Sequence, residues 1–368
     1  MQLVDTKKSA EHQFMNSGLR VLFVADLNYY SKGSGRVRAL KDLAFSSTNL
    51  SHTIIAWSDS GFAPISTLDR VLWKLGIQRD NVGINRRLIE AAKCTDPELL
   101  WIEKGNMIRP DTLRKLRQIA PRAVLVSYSE DDMFLGHNRT RAYVRGLPSY
   151  DCVFTTKALN VGEHELPALG ARRVVAVDKS YDSHIHFPIK VSALDAKRYG
   201  ADVGFIGTYE DSRARSLSYL ARNGITVRVW GNGWEKWRNR LPRLTIENRA
   251  IVNTENDLAY TKSLCSTRIN LGFLRELNRD TQTDRTMEIP ACGAFMIAER
   301  SDDHSRLFEE GQETVLFRTD EELLEKVRYY LEHEGERAAI AKAGRLRCLA
   351  SGYRETERMS LMIDQCLG

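Results

Sequence analysis

The stretch RTMEIPACGAFMIAE, Arg285 to Glu299, says more about the fold than any other part of this chain. It predicts a short helix that Glu288 opens and Gly293 stops, followed by a buried strand over Ala294–Ala298. A helix, a glycine and a strand in this order are typical of the ligand-binding edge of a doubly wound sheet. A carboxylate at that edge can accept hydrogen bonds from the vicinal hydroxyls of a ribose. The alternative is a surface glutamate that favours the helix dipole.

Buried strands and helices alternate along the rest of the chain, which predicts an α/β fold with largely parallel sheets. The predicted strands of the first half are Leu19–Ala25, His52–Trp57, Leu99–Glu103, Ala123–Tyr128, Asp151–Thr155 and Arg173–Val177. The pattern restarts with Ala201–Ile206, Thr226–Trp230, Arg268–Phe273 and Thr314–Phe317. The sequence therefore predicts two Rossmann-like domains that face each other across a cleft, where ligands of such folds bind.

The composition is that of a soluble globular protein with two domains: 368 residues, 42% hydrophobic and 28% charged. No apolar run approaches the ~20 residues that span a bilayer. Residues 1–18 are polar and lack the apolar core of a signal peptide, so we expect a flexible tail on a cytoplasmic protein. The six cysteines show no CxxC or metal-ligand spacing, which predicts reduced thiols and no bound metal.

The net charge of +6 is unevenly distributed. Residues 1–200 carry 29 Lys and Arg against 21 Asp and Glu, whereas the remainder carries 25 against 27. A basic first half suits an anionic acceptor or a peripheral contact with the inner face of a membrane. An ordinary solvated surface is the alternative. The basic residues are scattered and match no nucleic-acid-binding motif, so we expect no nucleic-acid partner.

The loop after the strand Ala201–Ile206 is a candidate phosphate site. Gly207 and Thr208 form a turn, and a helix is predicted to begin near Ser212. Backbone N–H groups at a helix start attract phosphate, and Arg213 in the first turn can add a forked contact. The loop is neither a GxGxxG nor a Walker motif, which argues against nicotinamide and P-loop sites. A tight turn with Arg213 in solvent is the alternative.

Two later loops carry further candidates for ligand binding. Trp230 and Gly231 end a strand, where glycine permits close approach of a ligand and the indole can flank a base or a sugar. A turn with a packing tryptophan is the alternative. Asp280 and Arg285 lie in a polar loop before Glu288. Arg285, one helical turn before Glu288, can neutralise a diphosphate or simply pair with that carboxylate.

Candidate general bases lie mainly in the first half. Asp131 and Asp132 follow a predicted strand at the proposed cleft, although a cap or a turn would use the same residues. His186 is a third candidate, next to Phe187-Pro188 at the joint between the domains. Its alternation with His184 is only a weak metal pattern, because the sequence offers no third ligand.

Together these residues resemble the CgeB-like glycosyltransferases, a branch of the GT-B group. The segments that carry the resemblance are RTMEIPACGAFMI from Arg285, LFEEGQETVLF from Leu307, DEELLEKVRYYLEHEGERAAIAKAGRLR from Asp320, YSEDDMF from Tyr128, YDCVFTT from Tyr150, LGARRV from Leu169, HFP from His186, GFIGTYEDSR from Gly204 and VWGNGW from Val229. The resemblance spans about residues 20–350, and its most specific part runs from Glu288 to Gly344.

The resemblance implies a transferase that moves a sugar from a nucleotide-sugar, UDP- or GDP-linked, to a glycan, lipid-linked, protein or small-molecule acceptor. It implies an acceptor domain over 19–187, a donor domain over 188–350, and a C-terminal helix over 351–368 that crosses back. By similarity Glu288 would hold the ribose, while Gly207, Thr208, Arg213 and Arg285 would surround the diphosphate.

The stereochemistry and the reaction type stay open at this stage. Retaining GT-B enzymes often carry two acidic residues eight positions apart, and here the first would be Asp280 instead of glutamate. Retention is slightly favoured over inversion, and GT-B enzymes typically need no divalent ion. A nucleotide-sugar epimerase or hydrolase on the same fold is one competing hypothesis. A non-catalytic nucleotide- or sugar-binding module is another.

Overall fold

The structure, a computed structural model, describes residues 19–46, 50–56 and 66–367. These residues divide into two compact units. Unit 1 contains the described residues up to Asp178 together with those from Thr356 onward, and unit 2 is Lys179–Glu355. The boundary between Asp178 and Lys179 lies before the boundary predicted at 187/188. The boundary between Glu355 and Thr356 lies after the one predicted at 350/351. The predicted tail, residues 1–18, and Trp57 lie outside the described residues.

Unit 1 is built on a sheet of six parallel strands. The strands are β1 (Leu19–Ala25), β2 (Leu50–Ala56), β3 (Leu99–Glu103), β4 (Val124–Ser129), β5 (Cys152–Thr155) and β6 (Val174–Ala176). Their order is β2-β1-β3-β4-β5-β6, with Val21 opposite Leu99 in the β1–β3 pair. The helices between them are α1 (Lys32–Ser46), α2 (Thr67–Lys74), α3 (Ile84–Thr95), α4 (Pro110–Ile119) and α5 (Arg141–Gly146).

The strands β1, β3, β4 and β5 are buried along almost their whole length. Because successive side chains of a strand point to opposite faces, both faces of this part of the sheet are covered. In β1, Leu22 and Val24 belong to one apolar cluster, while Val21, Phe23 and Ala25 belong to the other. The second cluster also contains a row of stacked aromatic rings, in which Trp101 lies against the rings of Phe23, Tyr128 and Phe154.

Unit 2 repeats the architecture with a second sheet of six parallel strands. They are β7 (Ala201–Ile206), β8 (Val227–Trp230), β9 (Leu244–Ile246), β10 (Thr267–Gly272), β11 (Met296–Glu299) and β12 (Val315–Phe317), in the order β12-β11-β10-β7-β8-β9. The helices that follow in chain order are α6 (Ala193–Tyr199), α7 (Asp211–Arg222), α8 (Ala259–Ser266), α9 (Asp284–Ala291), α10 (Asp302–Leu307), α11 (Asp320–Glu332), α12 (Glu334–Ala350) and α13 (Glu355–Leu367).

The helix α13 starts at the last residue of unit 2 and continues into unit 1. Its side chains Met359, Met362 and Ile363 are fully buried in the apolar cluster that also contains Trp101 and Phe154. Packing of this apolar face against the sheet, and not helix propensity, is what stabilises such a helix. The C-terminal residues of the chain therefore complete the core of the first unit.

One predicted element differs from the structure in a way that matters for the site. Glu288 does not open its helix, because α9 already begins at Asp284. Thr283 and Thr286 form a reciprocal capping box, which satisfies backbone N–H groups at the start of the helix. The helix therefore starts four residues earlier than predicted. Glu288 consequently lies inside the helix, on its buried face.

The predicted α/β fold with two parallel sheets is confirmed. The predicted cleft between the two domains stays a prediction. Within the described ranges, no helix combines the length and the apolar character that crossing a bilayer requires.

Candidate functional site

A buried carboxylate in unit 2 forms the centre of the candidate site. The side chain of Glu288 is 7% exposed, and its Oε2 atom accepts a hydrogen bond from the hydroxyl of Tyr260 on α8. The ring of His186 lies against that of Tyr260 at 5.8 Å and places its Nε2 atom 3.7 Å from Glu288 Oε1. The hydroxyl of Tyr260 and the ring of His186 thus fix the orientation of this carboxyl group.

Tyr260 and His186 both direct polar hydrogen atoms towards the carboxyl group of Glu288. Burial raises the pKa of Tyr260 well above its usual value, and Glu288 adds to that shift, so the phenol remains a donor. The backbone N–H of Asp182 donates to Nδ1 of His186, at 3.3 Å. This assigns the proton of a neutral ring to Nε2, the nitrogen that faces Glu288.

Arg285 joins the Glu288 cluster to the end of strand β7. Its Nε atom donates to the carbonyl oxygen of Ile206 at 3.2 Å, and its guanidinium lies 5.5 Å from the centre of the Tyr260 ring. The side chain is 28% exposed, and an Nη atom lies 3.7 Å from Asp284, beyond hydrogen-bond distance. The forked end of Arg285 therefore retains donors for an anionic ligand.

The two glycine loops at the ends of β7 and β8 are pressed against each other. Gly207 donates its N–H to the carbonyl of Trp230, and its own carbonyl accepts from the indole of Trp234 at 2.9 Å. A Cβ atom on Gly231 would lie 1.9 Å from the carbonyl oxygen of Gly207. The absence of a side chain at Gly231 therefore allows the loop after β7, and not a ligand as predicted, to approach its backbone closely. Thr208, beside Gly207, is exposed.

Arg213 points into the protein. Its guanidinium donates to the carbonyl of Thr208 at 3.0 Å and to the carbonyl of Leu274 at 2.9 and 3.3 Å, and the residue is 6% exposed. These bonds join the loops that follow β7 and β10. The arrangement favours Arg213 as a residue that positions the loops, while Arg285 is the better candidate for contact with a ligand.

Trp230 and Asp280 also have contacts with the protein. Trp230 is 3% exposed and lies in the apolar cluster that contains Tyr199, Tyr260 and Ile289. Its predicted stacking on a base or a sugar would need the ring to be uncovered. Asp280 is half-buried in the loop before α9, where its Oδ1 atom accepts from the side-chain amide of Asn278 at 2.9 Å.

The two candidate bases of the first half lie in unit 1. Asp131 follows β4 and forms an ion pair of 2.7 Å with Lys104, with its side chain 28% exposed. Asp132 is fully buried and accepts from the side chain of Asn160 at 2.8 Å and from the N–H of Phe134. Of the two, Asp131 is the one that a substrate can reach.

Unit 2 also has a cavity of about 260 Å³ at the carboxyl ends of β10, β11 and β12. Polar side chains line most of it, including Ser212, Arg215, Glu299 and Arg318. None of the residues predicted from the sequence to bind a ligand or to act as a base lines it. We therefore place the candidate site at the buried Glu288 cluster and not in this cavity.

Two residues that sequence reasoning missed hold Glu288 and its helix α9 in place: Tyr260 bonds to Glu288, and His304 contacts Thr286. Tyr260 lies 28 positions earlier and belongs to no motif around Glu288, so only the fold brings the two together. His304 on α10 is 1% exposed, and its ring nitrogens contact Thr286 Oγ1 at 2.7 Å and the carbonyl of Glu299 at 2.6 Å. His304 thereby ties the first turn of α9 to the end of β11.

The buried imidazole of His304 predicts a pH dependence of stability. Burial lowers the pKa of His304 below its usual value of 6.5, so the unfolded chain takes up this proton more readily than the folded protein. This contribution to stability is complete above about pH 6.5 and is lost as the pH falls from there towards the lowered pKa. We expect the melting temperature of His304→Gln to fall less steeply below pH 6.5 than that of the wild type.

Melting curves recorded at closely spaced pH values test this expectation. His137→Gln, which replaces an exposed histidine of unit 1, is the matched control and should keep the wild-type slope. Equal slopes for the wild type and His304→Gln would show that His304 is not the group that titrates.

Comparison with known proteins finds similarity to glycosyltransferases in one sequence segment and in the fold. Residues 213–364 match the family model described as glycosyl transferase-like. Anabaena HepE, solved with UDP and glucose and with UDP-glucose, is 13% identical with a TM-score of 0.60, covering 95% of this chain and 99% of that one. Sucrose-phosphate synthase from Thermosynechococcus elongatus is 11% identical with a TM-score of 0.61, covering 94% and 98%.

A third solved structure, an alpha-glucosyltransferase with UDP and a 13-mer DNA, is 11% identical with a TM-score of 0.63, covering 96% of this chain and 100% of that one. At such identities the likeness shows a shared fold, that of GT-B glycosyltransferases. A comparison with curated protein sequences gave no significant match. The match over residues 213–364 and the shared fold together support the assignment of this chain as a glycosyltransferase.

Proposed function

We propose that this protein transfers a sugar from a nucleotide-sugar of the UDP or GDP type to an acceptor that carries a hydroxyl group. The observation that carries the proposal is the buried Glu288, oriented by Tyr260 and flanked by Arg285, within the segment that matches glycosyl transferases. We also propose that the protein belongs to the CgeB-like branch, on the basis of the sequence segments described above.

In the proposed mechanism, Glu288 accepts hydrogen bonds from the ribose hydroxyls of the donor. Arg285, held by the carbonyl of Ile206, stabilises the charge that develops on the leaving diphosphate. Thr208, which is exposed in the loop after β7, can add a hydroxyl donor to that stabilisation. This scheme supplies charge stabilisation from protein groups alone. Of the predicted bases, Asp131 is the candidate for taking the acceptor proton. His186 does not suit that role, because its Nδ1 atom already accepts from the N–H of Asp182 and its Nε2 atom carries the ring proton.

Melting curves with UDP, GDP, ADP, CDP and dTDP, each without added metal, test the donor site. A nucleotide at ~100 times its dissociation constant should stabilise the fold by about 2.7 kcal/mol. No stabilisation by any nucleotide would remove the basis of the proposal. Turnover of the matching nucleotide-sugar without acceptor, followed by NMR, would instead support an epimerase or a hydrolase. Binding without turnover under any acceptor mixture would support a binding module.

The different contacts of the two arginines predict different effects of the same conservative change. Arg285→Lys keeps a charge but loses the fork, and we expect kcat/KM to fall about tenfold. Its melting temperature should fall less than that of Arg213→Lys, because Arg285 makes a single hydrogen bond to a carbonyl. Arg213→Lys cannot bond two carbonyls in the same way, and the loss of buried hydrogen bonds of ~1 kcal/mol each should lower the melting temperature by a few degrees.

Steady-state kinetics and melting curves on the same preparations separate the two roles. Arg222→Lys, at the exposed end of α7, is the control and should change neither quantity. The reverse pattern, a stability defect for Arg285→Lys and a purely kinetic one for Arg213→Lys, would exchange the two assignments.

A further inference from the structure

The helix α2 in unit 1 carries its apolar stripe on the outside of the protein. Leu68, Val71, Leu72 and Leu75 follow the spacing i, i+3, i+4, i+7, which normally marks the face that a helix buries against a core. Here Leu68, Val71 and Leu75 are 53%, 51% and 51% exposed, and none of the eight residues of α2 is buried. The stripe therefore has no partner within the described part of the chain.

Exposed apolar side chains are concentrated at this helix. Among the described residues, fourteen large hydrophobic side chains are exposed, and five of them lie between positions 68 and 77. The other two of these five are Trp73 and Ile77, at 36% and 42%. Single exposed apolar residues are ordinary, whereas a contiguous patch marks a surface that contacts another molecule or a membrane.

The helix is well anchored despite its exposed stripe. Ser66 and Asp69 form a reciprocal capping box at its start, and Arg79 bonds to Asp69 at 2.7 Å. At its end, the carbonyl of Gly76 accepts the N–H of Arg141 at 2.8 Å. The outward direction of the apolar stripe is therefore set by contacts at both ends of the helix.

The polar side of α2 is positively charged. Lys74 follows Val71 at the edge of the apolar stripe, and Arg70 lies on the opposite face; both are exposed. The one carboxylate of the helix, Asp69, is paired with Arg79. The first 200 residues as a whole carry an excess of eight positive charges. Apolar residues beside exposed Lys and Arg are the composition of helices that lie in the interface of anionic membranes.

We propose that α2 docks unit 1 onto an anionic lipid surface. Leu68, Val71 and Leu75 enter the boundary between headgroups and acyl chains, while Lys74 at the edge of the stripe contacts the lipid phosphates and the charge of Arg70 adds to the attraction. A second copy of the chain is a poorer occupant, because a two-fold contact through this face would bring Lys74 of both copies close together. The proposal is independent of the nucleotide-sugar site in unit 2.

Co-sedimentation of the full chain with vesicles tests this proposal. The vesicles are pure phosphatidylcholine or a mixture of phosphatidylcholine and phosphatidylglycerol. We expect binding to the mixed vesicles that weakens as salt is added, since surface charges are screened. The variant Leu68→Ser/Val71→Ser/Leu75→Ser and the variant Arg70→Glu/Lys74→Glu should each reduce the partition coefficient by roughly tenfold or more.

A matched control distinguishes the patch from exposed leucines in general. Leu194→Ser/Leu346→Ser/Leu361→Ser changes three exposed leucines on other helices and should bind as the wild type does. Because all the substituted residues are partly or largely exposed, melting temperatures should stay close to that of the wild type, and this is checked for every variant.

Several results would overturn the proposal. Absence of wild-type binding to mixed vesicles would do so, as would equal binding by the wild type and both α2 variants. Loss of self-association in the leucine variant, seen by sedimentation velocity in the absence of any vesicle binding, would assign the face to a second copy of the chain.

Discussion

Replacing Glu288 with glutamine is expected to weaken nucleotide binding by about 10- to 150-fold. The change keeps the shape of the side chain and leaves an oxygen that can still accept from Tyr260. It removes the negative charge, and a hydrogen bond to a charged group contributes ~1.5–3 kcal/mol. Titration calorimetry with the nucleotide that stabilises the wild type measures the difference directly.

The buried position of Glu288 makes a matched control necessary. Glu325→Gln changes an exposed glutamate on α11 and should bind nucleotide as the wild type does. The melting temperature of unliganded Glu288→Gln should stay close to that of the wild type, which separates a binding defect from a folding defect. Wild-type affinity in a folded Glu288→Gln protein would remove this residue from the donor site.

Gly231→Ala is expected to produce the largest loss of stability. Its Cβ atom would meet the carbonyl oxygen of Gly207 at 1.9 Å and the indole nitrogen of Trp234 at 3.1 Å. A backbone atom cannot yield as the end of a flexible side chain does, so the two loops must separate. Overpacking typically costs ~1–3 kcal/mol and sometimes more. At the upper end of that range, unit 2 should melt about 6–12 °C lower.

A second glycine in the same unit provides the control. Gly335 lies in the first turn of α12, and a Cβ atom there would meet nothing within 4 Å. Gly335→Ala should therefore leave the melting temperature unchanged or raise it slightly, because alanine favours a helix by up to ~1 kcal/mol over glycine. Equal melting temperatures for the two alanine variants would contradict the described contact between the loops.

The fold could be predicted largely because its strands are buried on both faces. Runs such as Leu19–Ala25 and Leu99–Glu103 are apolar throughout, which is the pattern of a parallel sheet covered by helices. The strand β9, Leu244–Ile246, was missed because three residues are too few to show a pattern. The start of α9 was placed too late because Thr283 and Thr286 cap it with a threonine pair, which is not the usual serine–glutamate signature.

The candidate site could be predicted only in part, because most of its contacts join distant positions. Glu288 and Arg285 are neighbours in a recognisable segment, and the structure keeps them together with His186. The residue types of Arg213 and Gly231 suggested ligand contacts, yet both are engaged with backbone carbonyls of nearby loops. Such partners are supplied by tertiary packing, and no local spacing in the sequence encodes them.

The position of α13 has a consequence for how the protein is made. Unit 2 is one continuous segment, whereas unit 1 needs residues before Asp178 and residues after Thr356. On the ribosome, domains generally fold in the order of their synthesis. Here the first sheet must wait for Met359, Met362 and Ile363 to cover it, with all of unit 2 translated in between. The second unit can therefore complete its folding first, and a fragment that ends at the boundary after Asp178 would expose an uncovered apolar face.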